Sequence, residues 1–208
     1  GDDLRRIGPW LQTLLLAQTL QQKFSEWSGG NPSVTLSAAI EFMKVNHPLN
    51  RAARMAEQRL EEAKNGGRNA ISVLDRKPKT WRALTEELAA ADRLTRHLRS
   101  GDISQAFGYR LLEIVRTKER VESGGRVDLR DASWRAHWGY LLARQFDGKK
   151  KNDPAAQELR NFLNSLLALD TELRPSSGSS AIAAGAIQIA LYRNRKFSTG
   201  GDQEPTPD

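Results

Sequence analysis

The spacing of apolar residues changes once along the chain, near residue 77, and this change limits the possible folds more than any other feature. Ahead of it, segments that alternate every second residue are interleaved with segments of helical spacing. Beyond it, only helical spacing remains. Asp3–Ile7 reads as a short strand leading into Gly8-Pro9, and proline suits the first turn of a helix because its missing N–H is not needed there. That helix runs to about Trp27, with Leu16, Leu20, Phe24 and Trp27 in step, and Ser28-Gly29-Gly30-Asn31-Pro32 ends it. Val34, Leu36, Ala38 and Ile40 alternate through a strand over Ser33–Met43. Pro48 opens a second helix carrying Leu49, Ala52, Ala53, Ala56, Leu60 and Ala63, and Gly66-Gly67 stops it before a strand over Asn69–Leu74. The order strand, helix, strand, helix, strand predicts an α+β sheet layered by helices.

Asp75–Thr80 is a polar, basic linker containing Pro78. Five helical stripes follow it. They run through Trp81, Leu84, Leu88, Ala91 and Leu98; through Phe107, Leu111, Ile114, Val115 and Val121; through Trp134, Trp138, Leu141, Leu142 and Phe146; through Leu159, Phe162, Leu163, Leu166 and Leu167; and through Ile182, Ala186, Ile189, Ala190 and Arg193. Amphipathic helices joined by short polar loops predict an all-α five-helix bundle. The predicted organisation is therefore a partial α+β domain over 1–76, a helical bundle over 77–197, and a Gly/Pro/acid-rich disordered tail over 198–208.

Composition excludes several classes. With no cysteine, disulfides, thiolate metal sites and cysteine nucleophiles are excluded, and a cytoplasmic setting is expected. The three histidines, His47, His97 and His137, are not spaced as metal ligands. The most apolar stretch, Ala181–Tyr192, is shorter than the roughly 20 residues a bilayer requires, so no membrane partner is expected. Charge is uneven. Residues 1–76 hold ten Lys/Arg against eight Asp/Glu, while 77–196 hold twenty-two against fourteen. That basic excess fits either a solvated surface or contact with the backbone of RNA.

Three local patterns carry potential chemistry, each with a structural counterpart. Asp2 and Asp3 follow Gly1 at a predicted tight turn, which fits a solvated turn or carboxylates presented to a divalent cation such as Mg²⁺ or Mn²⁺. Lys64 and Arg68 flank Gly66-Gly67, which fits a cation favoured by the helix dipole or a cationic cradle for phosphates. Ser37 lies among small residues in the predicted strand, which fits a strand packed under a helix or a floor for a base or ribose.

Taken in order, Gly1-Asp2-Asp3, Thr35-Leu36-Ser37-Ala38, Pro48-Leu49 and Ala63-Lys64-x-x-Gly-Arg68-Asn69-Ala70-Ile71 resemble a palm-type nucleotide cyclase of ferredoxin-like fold. The Ala-Lys-x-x-Gly-Arg-Asn part is shared with GGDEF diguanylate cyclases. Three details resemble instead the Csm-type large subunit of type III CRISPR effector complexes: Gly-Asp-Asp in place of Gly-Asp-Glu-Phe, the continuation Ile7-Gly8-Pro9-Trp10, and helices after the palm.

The resemblance implies a cyclic oligoadenylate synthase that uses ATP when its complex binds target RNA. Asp2 and Asp3 would hold the metals and act as the catalytic pair. Gly1 would shape the turn, Ser37 would border the nucleotide, and Lys64 and Arg68 would meet phosphates. The helical region would dock the small subunit and lie near the guide and target RNA, with a guide-end subunit also in the complex. Departures stand beside these implications. Only one glycine precedes the acids, Ala39 replaces a usual glycine, and Arg5 and Arg6 replace apolar residues. A start at Gly1 without methionine reads as a piece of a longer protein whose first palm strands lie elsewhere. The chain by itself is therefore expected to be inactive. A non-catalytic scaffold that docks subunits and RNA, and a diguanylate cyclase with an added helical module, are the other readings.

Overall fold

The computed structural model of the chain describes residues 4–44, 46–73, 77–123, 128, 131, 133–147, 153–172 and 182–195. Its architecture is mostly helical with one small mixed sheet. The first helix, α1 (Trp10–Trp27), begins at Pro9, whose carbonyl accepts from the Thr13 N–H at 3.0 Å. It is followed by β1 (Ala38–Ile40), α2 (Leu49–Asn65), β2 (Ala70–Val73) and β3 (Lys79–Thr80). The sheet order is β1-β2-β3. β1 and β2 run parallel, with Ala38 opposite Ile71 and Ile40 opposite Val73. β2 and β3 run antiparallel, with Ala70 opposite Thr80. Every residue of β2 is buried, as befits a central strand.

Among the described residues five helices follow: α3 (Trp81–Ser100), α4 (Gln105–Glu122), α5 (Trp134–Gln145), α6 (Pro154–Glu172) and α7 (Ile182–Arg193). Each of the first two starts where its sequence supplies a cap. Thr80 Oγ1 accepts from the Ala83 N–H at 3.2 Å, and Ser104 Oγ accepts from the Phe107 N–H at 3.1 Å. α3 stops at Gly101, whose φ of 81° lies in the left-handed region. α7 is buried at nearly every position, so it is enclosed rather than amphipathic. It packs against α3, α4 and α6, and its run Ala183-Ala184-Gly185-Ala186 lets α3 approach closely.

Several expectations need correction. Leu4–Pro9 form no strand: Leu4 and Ile7 are 74% and 66% exposed, and a strand without a neighbouring ladder leaves its backbone groups to water. The strand expected over Ser33–Met43 contracts to Ala38–Ile40, the stretch that faces β2. Within α1 the core residues are Trp10, Leu14 and Ala17, whereas Leu20 and Trp27 of the expected stripe are 38% and 78% exposed. In α2, Leu49 is also exposed, and Ala52 and Ala63 carry the buried contact. The linker is not wholly a linker, because Lys79–Thr80 add a strand to the sheet. One apolar cluster joins Leu14, Ile40, Ile71 and Val73 to the residues of α3–α7. The tail 198–208 and the lysine-rich loop Lys149–Lys151 lie outside the described residues.

The sheet is tied to α3 by an ion pair at its heart. Lys79 of β3 and Glu87 of α3 meet through Nζ and Oε2, and their side chains are 3% and 0% exposed. A second pair, Arg59 Nε to Glu41 Oε2 at 2.7 Å, fastens α2 to the chain leaving β1, with both side chains mostly buried. Trp81 Nε1 donates to the Leu36 carbonyl at 2.9 Å, which pins the backbone just ahead of Ser37 to the start of α3.

Candidate functional site

Three chain segments come to the same end of the sheet, where β1 and β2 begin. The register sets Ala38 opposite Ile71, so Ser37 stands level with Ala70, the first residue of β2. Ala70 is opposite Thr80, which leads into α3. The backbone reaches Ala70 from α2 through a tight turn, in which the Gly66 N–H donates to the Glu62 carbonyl at 2.9 Å. Gly67, Arg68 and Asn69 then take φ values of 117°, 59° and 47°. Glycine adopts such angles freely, but for arginine the left-handed region costs about 1–2 kcal/mol. That end of the sheet therefore sets Ser37 level with the strand start that follows the Arg68–Asn69 turn, with the α3 N-terminus on the other side and Lys64 in the helix leading into the turn.

The side chains there differ in exposure. Ser37 and Lys64 are half-buried and Arg68 is exposed. Lys64 Nζ lies 3.1 Å from Glu61 Oε1, an exposed contact of the kind that contributes little and yields readily to a stronger anion. Ala63, fully buried, anchors the helix end from which Lys64 projects. The arrangement puts Arg68 on a strained turn, Lys64 in the last turn of the helix before it, and Ser37 just ahead of β1. Gly1, Asp2 and Asp3 lie outside the described residues. Among the described residues no group of three or more His, Asp or Glu is arranged to hold a metal.

The strain at Arg68 permits a direct measurement. Arg68→Gly removes the left-handed penalty but adds the flexibility of glycine, worth about 0.5–1 kcal/mol. The urea midpoint is expected to stay level or to rise by up to about 1 kcal/mol of stability. A clear loss would mean that the guanidinium holds the turn together.

One concavity was missed by the sequence reading. A shallow groove of about 520 Å³ is lined by Pro48, Asn50, Arg51, Arg54, Met55 and Gln58 on the first half of α2. It sits at the opposite end of that helix from Lys64. The available signal was the absence of any acid between Glu41 and Glu57. Nearby, Arg5 Nη2 lies 3.4 Å from Glu57 Oε1, so the segment after the Gly-Asp-Asp sequence runs beside α2.

A βαβ unit with a cationic turn at one end, followed by helices that share its core, defines a palm-like α+β protein with a helical extension. Comparison with known proteins sharpens this. Residues 1–72 match the model of the Cas10/Cmr2 family, second palm domain. The chain is 30% identical over 161 residues to a CRISPR system single-strand-specific deoxyribonuclease Cas10/Csm1 (subtype III-A) of Thermococcus onnurineus, covering 69% of this chain and 19% of that protein. Its counterpart in Mycobacterium tuberculosis is 25% identical over 203 residues, covering 94% of this chain and 22% of the relative. That of Enterococcus italicus is 27% identical over 148 residues, 69% and 18% respectively. The chain belongs to the Cas10-type large subunits of type III CRISPR systems and spans about a fifth of the length of these relatives. Among the described residues no helix is long and apolar enough to cross a membrane.

Proposed function

We propose that this chain supplies the nucleotide-joining palm and the helical docking region of a type III-A effector large subunit acting in the cytoplasm, and that the palm makes cyclic oligoadenylate from ATP when target RNA is bound. The observation that carries the reading is the convergence of Ser37 with the Lys64–Asn69 turn at one end of the sheet, within a stretch matching the second palm domain that also contains Gly1-Asp2-Asp3. In the reaction a ribose 3′-hydroxyl gives up its proton to water, its oxygen bonds to the α-phosphorus of a second ATP, the α–β phosphoanhydride bond breaks, and pyrophosphate leaves with the electron pair.

Two neighbouring carboxylates are hard oxygen donors of the kind that Mg²⁺ or Mn²⁺ accepts alongside substrate phosphates, so the donor set fits a divalent cation. Such a cation, when bound, lowers the pKa of the attacking hydroxyl and neutralises charge on the leaving group. Asp2 and Asp3 would hold it. Lys64 and Arg68 would bind and orient the triphosphate, since a guanidinium pairs with phosphate oxygens through two donors. Ser37 would border the ribose, and Ala39, where the family usually has glycine, narrows the floor by one methyl. The helical region would dock the small subunit beside the guide and target RNA, its basic excess facing the RNA backbone.

The test uses the full-length subunit in its assembled complex. Asp2→Ala with Asp3→Ala removes several kcal/mol of transition-state stabilisation, a fall of at least about 10²-fold in cyclic oligoadenylate at equal complex yield. Unchanged product with intact assembly would instead support a scaffold whose palm is not catalytic. Product from GTP rather than ATP would point to the diguanylate cyclase reading.

A further inference from the structure

The first half of α2 carries its charges against the helix dipole, although Lys64 in the last turn follows it. The positive end of a helix dipole is at the N-terminus, where acids are favoured and cations disfavoured. In α2 the first turn holds no acid, and Arg51 and Arg54 occupy the first two turns. The acids Glu57, Glu61 and Glu62 come later, toward the end where cations are favoured. The neighbouring chain deepens the asymmetry: Lys44 and His47 precede the helix, and no acid occurs between Glu41 and Glu57. Arg51 and Arg54 are both exposed, and neither makes an ion pair among the described residues. A local rule broken in this way without a compensating contact is a mark of function.

The same two arginines line the groove of about 520 Å³, together with the amides of Asn50 and Gln58 and the apolar Pro48 and Met55. Among the described residues no carboxylate lines it. Residues three apart on a helix project as neighbours, so the two guanidiniums stand side by side along the groove. The groove is open rather than enclosed. An open cationic track with an apolar strip suits an extended chain of phosphodiesters better than a single buried phosphate.

We infer that the Pro48–Gln58 face of α2 is a second polyanion site, distinct from the Ser37–Arg68 end of the sheet, that holds the backbone of single-stranded nucleic acid. Arg51 and Arg54 each take one phosphate, Asn50 and Gln58 donate to adjoining oxygens, and Met55 and Pro48 lie under the sugar or base. Recognition of this kind is independent of sequence and sensitive to salt.

The experiment uses the full chain and an unstructured oligouridylate. Three proteins are compared over a salt series: the parent, Arg51→Glu with Arg54→Glu, and a control, Gln12→Glu with Gln22→Glu and Lys23→Glu, carrying the same change in net charge on exposed positions of α1. The groove variant is expected to lose at least about tenfold in affinity at low salt. Its plot of log K against log salt should be shallower by about 1.4, which is two phosphate contacts at roughly 0.7 each. Its melting temperature should hold or rise, because glutamate suits the first turns of a helix. The control should keep the parent's slope. Equal losses in the groove variant and the control, or parental affinity in the groove variant, would overturn the inference. Failure of the Asp2/Asp3 test leaves this result untouched, since no nucleotide chemistry enters it.

Discussion

Gly185→Ala is expected to unfold a large share of the protein at mild urea. A Cβ built at residue 185 would lie 2.0 Å from Glu87 Oε1, 2.3 Å from Cδ and 2.8 Å from Oε2. The carboxylate has nowhere to retreat, because it is fully buried and held by Lys79. Either α7 must move away from α3, or the carboxylate must leave Lys79. Overpacking of this kind costs about 1–3 kcal/mol, and breaking a buried pair costs about 3–5 kcal/mol. Against a total stability of roughly 5–15 kcal/mol, a loss of about 3 kcal/mol or more is decisive. Urea denaturation followed by circular dichroism reads it directly. A midpoint within the error of the parent would show that the two helices part without cost and that the closeness of α3 and α7 is not structural.

Glu87→Ala should cost nearly as much by the opposite route. It relieves crowding at Gly185 but removes the carboxylate that Lys79 meets inside the protein, and breaking a buried pair costs about 3–5 kcal/mol. The pair itself need not be stabilising, since taking two charges out of water offsets most of their attraction. Lys79→Met combined with Glu87→Met is therefore expected to be more stable than Glu87→Ala by at least about 2 kcal/mol. Equal destabilisation by the two would show that packing volume, not charge, is what the pair supplies. Function is linked to this result through register. β3 holds Lys79 and Thr80, Thr80 is opposite Ala70, and Ala70 follows directly on the Arg68–Asn69 turn. Loosening the ion pair loosens the end of the sheet that follows the Arg68–Asn69 turn.

Much of this end of the sheet could be read from the chain alone. Gly66-Gly67 announces a turn, Lys64 and Arg68 flank it, and the β2 run Ala70–Val73 is a buried strand by its composition. The helices α3 to α6 likewise follow from their apolar stripes, because a long amphipathic period has only one way to bury its face, whereas α7 is enclosed on all sides. The chain alone misled where burial depends on distant partners. The stripe Leu16, Leu20, Phe24 and Trp27 is a sound helical pattern, yet the core takes Trp10, Leu14 and Ala17 instead. Lys79 reads as a solvated linker residue because its partner, Glu87, lies two helical turns away in α3. The α2 groove went unread because exposed arginines on a helix look like ordinary surface until their position against the dipole and the concavity beneath them are seen together.

Local order in this protein is set by short-range chemistry. Caps, glycine turns and apolar periods act within a few residues, so α2, β2 and α3–α6 follow from the sequence with few errors. Only the tertiary structure decided that Ser37 stands beside the Lys64–Asn69 turn, that Glu87 lies against Gly185, and that the core continues from the sheet into the helices. These depend on which surfaces meet, and that is determined by the packing free energy of the whole chain rather than by any one segment.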